Sequence, residues 1–238
     1  MIVQLIILQL IALLLGNYMF KSENIVAKKS SNKWRTPVFH ALLIALLSYL
    51  LSFDLGFWKA AIFIAFTHLG IDLLKSYSTL TTQYKIRKST VFFINLFVKL
   101  FIFLIAVIVY NHFYNISFYL NLPETKHLAT LLAFIFCMKP VNTIILHLFS
   151  AFNIKTPSET SDTEENKSLE NAGKLIGVVE RMITLILILN LQYEAVGLVI
   201  AAKSILRFNS TAKSEYVLMG TLLSFGFAIF WGVIVNLL

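Results

Sequence analysis

Cysteine is almost absent: Cys137 stands alone in 238 residues, which excludes an internal disulfide and a cysteine-based zinc site. Charge is scarce too. Only 13% of residues are charged, against 58% hydrophobic, and the mean hydropathy of +0.79 is too apolar for a soluble domain. There is no phosphate-binding glycine loop, no HExxH and no GxSxG, so no catalytic signature of defined spacing is present. The stretch from Met1 to Phe20 lacks a basic n-region, and its basic residues follow the apolar run. That order predicts a retained spanning helix, not a cleaved signal peptide.

What is present is a series of apolar runs. A spanning helix needs roughly 20 apolar residues, and about eight segments qualify: 2–20, 37–53, 57–76, 90–111, 127–149, 173–191, 194–208 and 216–237. The fold class expected is therefore all-α, a polytopic transmembrane helical bundle. The formal net charge is +8, but the basic residues punctuate the apolar runs and form no continuous stripe, which points to membrane topology and not to nucleic acid. The first loop carries Lys21, Lys28, Lys29, Lys33 and Arg35, and the third Lys85, Arg87 and Lys88. The fifth has Lys155 and Lys167, and the seventh Arg207 and Lys213. The second and sixth loops carry no basic residue, and the fourth only Lys126. Odd loops are thus expected in the cytoplasm, with both termini on the outer side. Trp34, in the long first loop, is a candidate headgroup anchor.

The fifth loop reads NIKTPSETSDTEENKSLEN, polar and acidic, and is expected to be a mobile cytoplasmic linker. It sets the expected organisation: an N-terminal bundle of about five helices over 1–152, the linker over 153–171, and a C-terminal bundle of about three helices over 172–238.

Ionisable residues inside the apolar runs are the informative ones, because a charge at bilayer depth costs at least ~2.5–3.5 kcal/mol and faces a partner or a task. In the third and fourth segments, antiparallel neighbours at matching depth have nearly constant index sums. Asp72 then falls level with Asn95, ~6–8 Å inside, and His68 with Lys99, ~12–14 Å inside. His68 and Asp72, at i and i+4, share a helix face. Asn17 and His40 fall at the shallower level. The favoured reading is a satisfied polar network in which Asp72 is neutralised by Lys99 or by a protonated His68, with no metal or other cofactor. The alternative is a divalent metal held by His40, His68 and Asp72. Against it stand the single carboxylate and the ammonium of Lys99, placed where a cation would bind.

The second concentration lies in NAGKLIGVVER (171–181), AAKSILRF (201–208) and SEYVLMGTLLS (214–224). The topology brings Lys174, Glu180, Arg181, Lys203, Ser204, Arg207 and Glu215 toward the inner leaflet. Gly173, Gly177 and Gly220 permit close helix approach. Two carboxylates against four basic groups leave a net positive pocket, and arginine's planar fork suits phosphate or carboxylate. The competing reading makes Glu180–Lys203 and Glu215–Arg207 structural ion pairs. Elsewhere, Lys139-Pro140 removes a backbone hydrogen bond and is expected to bend the fifth helix. His112 and His127 are expected at the outer interface, and His147 near the inner end of that helix. Cys137 is expected to be a small apolar filler.

These three blocks, with THLGIDLLKSY at 67–77, resemble an uncharacterised bacterial integral-membrane family, number 3307 in the domain-of-unknown-function series. The resemblance covers most of the chain and implies a multi-pass protein of the bacterial inner membrane. His40, His68 and Asp72 match the family's pattern. Leu13 and Lys99 stand where it has His, Asn17 where it has Asp, and Asn95-Leu96 where it often has Asp-Gln. The resemblance thus implies a first layer richer in His and Asp among relatives, and metal chemistry there would be lost in this chain.

The function expected is non-enzymatic binding or transport of an anionic small molecule or lipid headgroup. Arg181, Lys203 and Arg207 are its contacts, Glu180 and Glu215 orient them, and Arg207→Ala weakens binding. A membrane-embedded metal-dependent hydrolase using His40, His68 and Asp72 is the second expectation. A scaffold recruiting a cytoplasmic protein partner is the third; deleting 156–169 disables only the scaffold.

Overall fold

The computed structural model describes residues 1–20, 35–81, 88–154, 164–207 and 214–238. Trp34, most basic residues of the first and third loops, Lys213 and the stretch 155–163 of the expected linker lie outside the described residues. Two compact units emerge, Met1–Leu128 and Ala129–Leu238, each built only of helices among the described residues.

In the first unit, α1 (Ile2–Leu14) runs on into a π-helical turn, Leu15–Met19. It is followed by α2 (Arg35–Ser52), a 3-10 turn at Leu55–Phe57, α3 (Trp58–Thr81) and α4 (Lys88–Phe113). α1 packs on α2 and α4, and α3 packs on the same two helices. The four therefore close into a ring, each touching two neighbours. Gly16 lets α1 approach α2 closely, since a Cβ there would sit 2.8 Å from Ile44 Cγ1. Leu5, Leu13, Ile44, Phe57, Ile64, Phe103 and Val107 fill the interior. The outer face is apolar too: Phe66, Phe97 and Phe101 are exposed. Helices that are apolar all round need hydrocarbon outside as well as a core within.

The second unit takes α5 (Thr125–Cys137) from Ala129 on, then α6 (Lys139–Ala151), α7 (Glu164–Leu189), α8 (Tyr193–Arg207) and α9 (Ser214–Leu237). α7 packs on α6, α8 and α9, and α9 also on α6. α5 and α6 are one interrupted helix, bent by 48°. The break falls at Met138, and Pro140, which has no N–H to give, opens the second half. The expected bend is thus present, one residue earlier than the Lys139-Pro140 pair.

Each of the eight expected segments coincides with a helix or with this bent pair. Among the described residues, four helices are long and apolar enough to cross a membrane, five with the bent pair counted as one. The difference lies in three segments. Thr36–Ser52 is a shorter apolar helix, α8 has only 15 residues, and α7 carries Lys174, Glu180 and Arg181 along its apolar length. The units also divide at Leu128, not at the linker, so the fifth expected span belongs with the C-terminal helices. α7 starts at Glu164, inside the segment expected to be linker; from Glu164 onward there is neither Pro nor Gly before Gly173, and nothing there stops a helix.

Candidate functional site

Among the described residues each unit holds a buried polar centre built on a basic side chain, Lys99 in the first and Arg181 in the second. In the first, α2 supplies His40, α3 supplies His68 and Asp72, and α4 supplies Lys99. All four sit on faces turned into the ring, and His68 and Lys99 are almost fully buried. Lys99 Nζ donates to Asp72 Oδ1 at 2.8 Å. The other carboxylate oxygen, Oδ2, lies 3.9 Å from His40 Nδ1. The imidazoles of His40 and His68 stack, with centroids 5.6 Å apart and planes at 17°. Phe103 closes the deep side with its edge against His68, 6.2 Å between centroids. The two expected tiers thus merge into one cluster, because His40 touches both levels. Asn95, one turn before Lys99, is half-buried, and its Oδ1 has no hydrogen-bond partner among the described residues. Asn17 is half-buried in the π turn.

One ligand atom each from His40, His68 and Asp72 can be chosen so that all three lie within 4.8 Å of one another. A four-coordinate zinc-like ion with bonds of about 2.0–2.2 Å needs its donors roughly 3.4 Å apart. Side-chain rotations that draw the three together by up to about 1.4 Å would meet that requirement. The obstacle is electrostatic. Two unit charges about 4 Å apart repel by ~4 kcal/mol at an effective dielectric of 20, and a divalent ion doubles this. A metal on Asp72 Oδ2 therefore competes with an ammonium on Oδ1.

In the second unit the centre is Arg181, 1% exposed although it lies on a membrane-length helix. Its Nε donates to the Cys137 carbonyl at 2.6 Å and one terminal nitrogen to Ser224 Oγ at 2.7 Å. The other reaches Asn142 Oδ1 at 2.6 Å and the Met138 carbonyl at 3.4 Å. Both carbonyls belong to the break between α5 and α6. A broken helix in an apolar medium must have its freed backbone groups satisfied again, and here a guanidinium does so. Its neighbour Glu180 accepts a hydrogen bond from Lys203 Nζ, which also lies 5.3 Å over the ring of Phe225. Ser204 spends its hydroxyl on Ile200 O of its own helix, at 2.9 Å.

Of the expected C-terminal contacts, Arg181 thus faces inward and Lys203 pairs with Glu180. Lys174 is exposed on α7. Arg207 and Glu215 lie in α8 and α9, their side chains outside those described. His112, His127 and Lys139 are exposed, His147 half-buried and Cys137 buried.

The sequence reading passed over three polar features. Asp54, between α2 and the 3-10 turn, accepts from Gly56 N at 2.9 Å and from Tyr110 Oη and Ser117 N at 3.0 Å each. Its Ser-x-Asp-x-Gly setting is a turn signal that could have marked it. Gln9 and Ser48 bond to each other between α1 and α2. Asn142 and Ser224 serve Arg181, and neither carries a pattern that announces it.

A family model described as "Protein of unknown function (DUF3307)" matches residues 5–129. No curated protein and no solved structure matches the chain. The matched region contains His40, His68, Asp72, Asn95 and Lys99, and ends before Arg181 and every other C-terminal candidate.

Proposed function

The chain belongs to this family of unknown function, and from that premise we propose that it is a cation-binding protein of the bacterial inner membrane. Its site is the His40–His68–Asp72 cluster of the four-helix ring. In this reading the chain crosses the membrane about eight times with both termini outside, in keeping with the loop charges. One observation carries the proposal. The half-buried carboxylate and the two buried imidazoles converge from α2 and α3 within 4.8 Å, inside the stretch that makes the chain a member of the family. Two imidazoles and one carboxylate suit a borderline transition-metal ion such as zinc better than an alkali or alkaline-earth ion, which prefers oxygen donors. His40 and His68 would supply the nitrogen ligands and Asp72 the charged one; no reaction is assigned to the site.

The anionic-ligand reading has less support. It asks Arg181 and Lys203 for donors that four acceptors and Glu180 already hold. The test is the metal content of detergent-purified protein by elemental mass spectrometry, with Asp72→Asn alongside. A stoichiometric transition metal in the native chain that is lost in the variant supports the cation site. A folded native protein that takes up no zinc or cobalt on titration refutes it.

A further inference from the structure

We propose that Lys99 is a tethered cation that holds Asp72 until a metal ion displaces it, and that Asn95 receives its ammonium on departure. Loading the site is then an exchange of ammonium for metal. This inference rests on the cation-binding reading of the same cluster and adds how occupancy is controlled.

Three observations support it. Lys99 Nζ sits 2.8 Å from Asp72 Oδ1, while the second oxygen of that carboxylate faces His40 at 3.9 Å. The ammonium and an incoming metal ion therefore compete for one carboxylate, and their mutual repulsion disfavours joint occupancy. Second, a protonated lysine offers three donors and no acceptor, so it holds the carboxylate without completing a metal's ligand set. Third, a destination exists. Asn95 precedes Lys99 by one helical turn on α4, and side chains four residues apart lie on one face about 5–6 Å apart. Lysine side chains in a helix lean toward its N-terminus, which is the direction of Asn95. The Asn95 Oδ1 atom is buried and unpartnered among the described residues, an acceptor that an arriving ammonium would satisfy. The ammonium thus moves from one oxygen acceptor to another without entering hydrocarbon.

The experiment titrates cobalt(II), whose visible absorption reports ligation by nitrogen and oxygen, into the full-length chain in detergent. Native protein is compared with Lys99→Met, Asn95→Leu and the double variant, none of which alters a proposed ligand. Lys99→Met removes the competitor and should tighten binding by roughly tenfold or more. Asn95→Leu removes the destination and should weaken binding by a similar factor, but only while Lys99 is present. In the Lys99→Met background it should change nothing. If Lys99→Met fails to fold, Asn95→Leu with native Lys99 still decides the matter, because an unchanged affinity overturns the exchange. Equal weakening by Asn95→Leu in both backgrounds overturns it as well, since Asn95 would then act on the metal directly. Binding by the native chain with no effect of either variant removes the exchange and leaves the cation site standing. No binding by any folded variant, Lys99→Met included, removes both.

Discussion

Replacing Arg181 with Met keeps length and apolar contact and removes every donor from the break between α5 and α6. Three acceptors at 2.6–2.7 Å lose their partner, the Cys137 carbonyl, Asn142 Oδ1 and Ser224 Oγ, and the Met138 carbonyl at 3.4 Å loses a weaker one. Asn142 and Ser224 can turn to other partners, whereas the two carbonyls are fixed by the backbone. Each buried group left unsatisfied costs about 1–3 kcal/mol. Part of this is offset, because methionine spares the desolvation of a guanidinium. The net expectation is a loss of about 2–4 kcal/mol, carried chiefly by the two carbonyls that cannot turn away. Arg181→Lys should fall between, since one ammonium replaces a planar fork that serves two carbonyls and two side chains at once. The assay is the free energy of unfolding in mixed micelles, read from helix content as denaturing detergent is raised. A Met variant within about 1 kcal/mol of the native protein would refute the reasoning, for it would show that the break satisfies its own carbonyls. A lysine variant as stable as the native protein would refute the role of the fork.

Further outcomes follow from other contacts and are checked by the same unfolding measurement. Asp54→Ala strips acceptors from Gly56 N, Tyr110 Oη and Ser117 N and should cost about 3 kcal/mol or more, with Asp54→Asn milder. Gly232→Ala places a Cβ 2.5 Å from Ile188 Cγ2 and 2.9 Å from Ile188 Cβ, an overpacking of α7 against α9 worth about 1–3 kcal/mol. Gly226→Ala on the same helix meets nothing within 4 Å and should stabilise by up to about 1 kcal/mol through helix propensity. Opposite signs at these two glycines test the packing of α9 directly. Gln9→Leu leaves Ser48 without its side-chain partner and should cost about 0.6–1.7 kcal/mol, the scale of hydrogen bonds between membrane helices.

How far the sequence revealed the first site is clearest at Lys99. Index sums place Lys99 level with His68 and Asn95 level with Asp72, yet Lys99 bonds to Asp72, one turn away. The arithmetic locates Cα atoms, but a lysine stem spans about a helical turn of 5.4 Å and leans toward the N-terminus of its helix. On α4 that direction leads to the level of Asp72. The sequence therefore offers Lys99 as one of two partners for Asp72 and the fold selects it; the level of the Cα atoms alone does not make that choice, since pairing depends on the reach of a side chain. Arg181 failed to declare itself for a different reason. Two of its acceptors are backbone carbonyls, which have no sequence identity, and they face it only because the chain breaks at Met138. The Lys139-Pro140 pair predicted the bend, but which helix would fill it depends on the packing of α7 against α6, carried by apolar residues that look alike anywhere along the chain. A cation inside an apolar run is thus readable as an anomaly that demands satisfaction. Whether a carboxylate, a carbonyl or a ligand satisfies it follows from packing. That is why Arg181, which reads as part of an open anionic site in one dimension, is engaged within the fold, why Lys203 takes the ion pair with Glu180 that the sequence offers as the competing reading, and why His40, His68 and Asp72 come within 4.8 Å of one another.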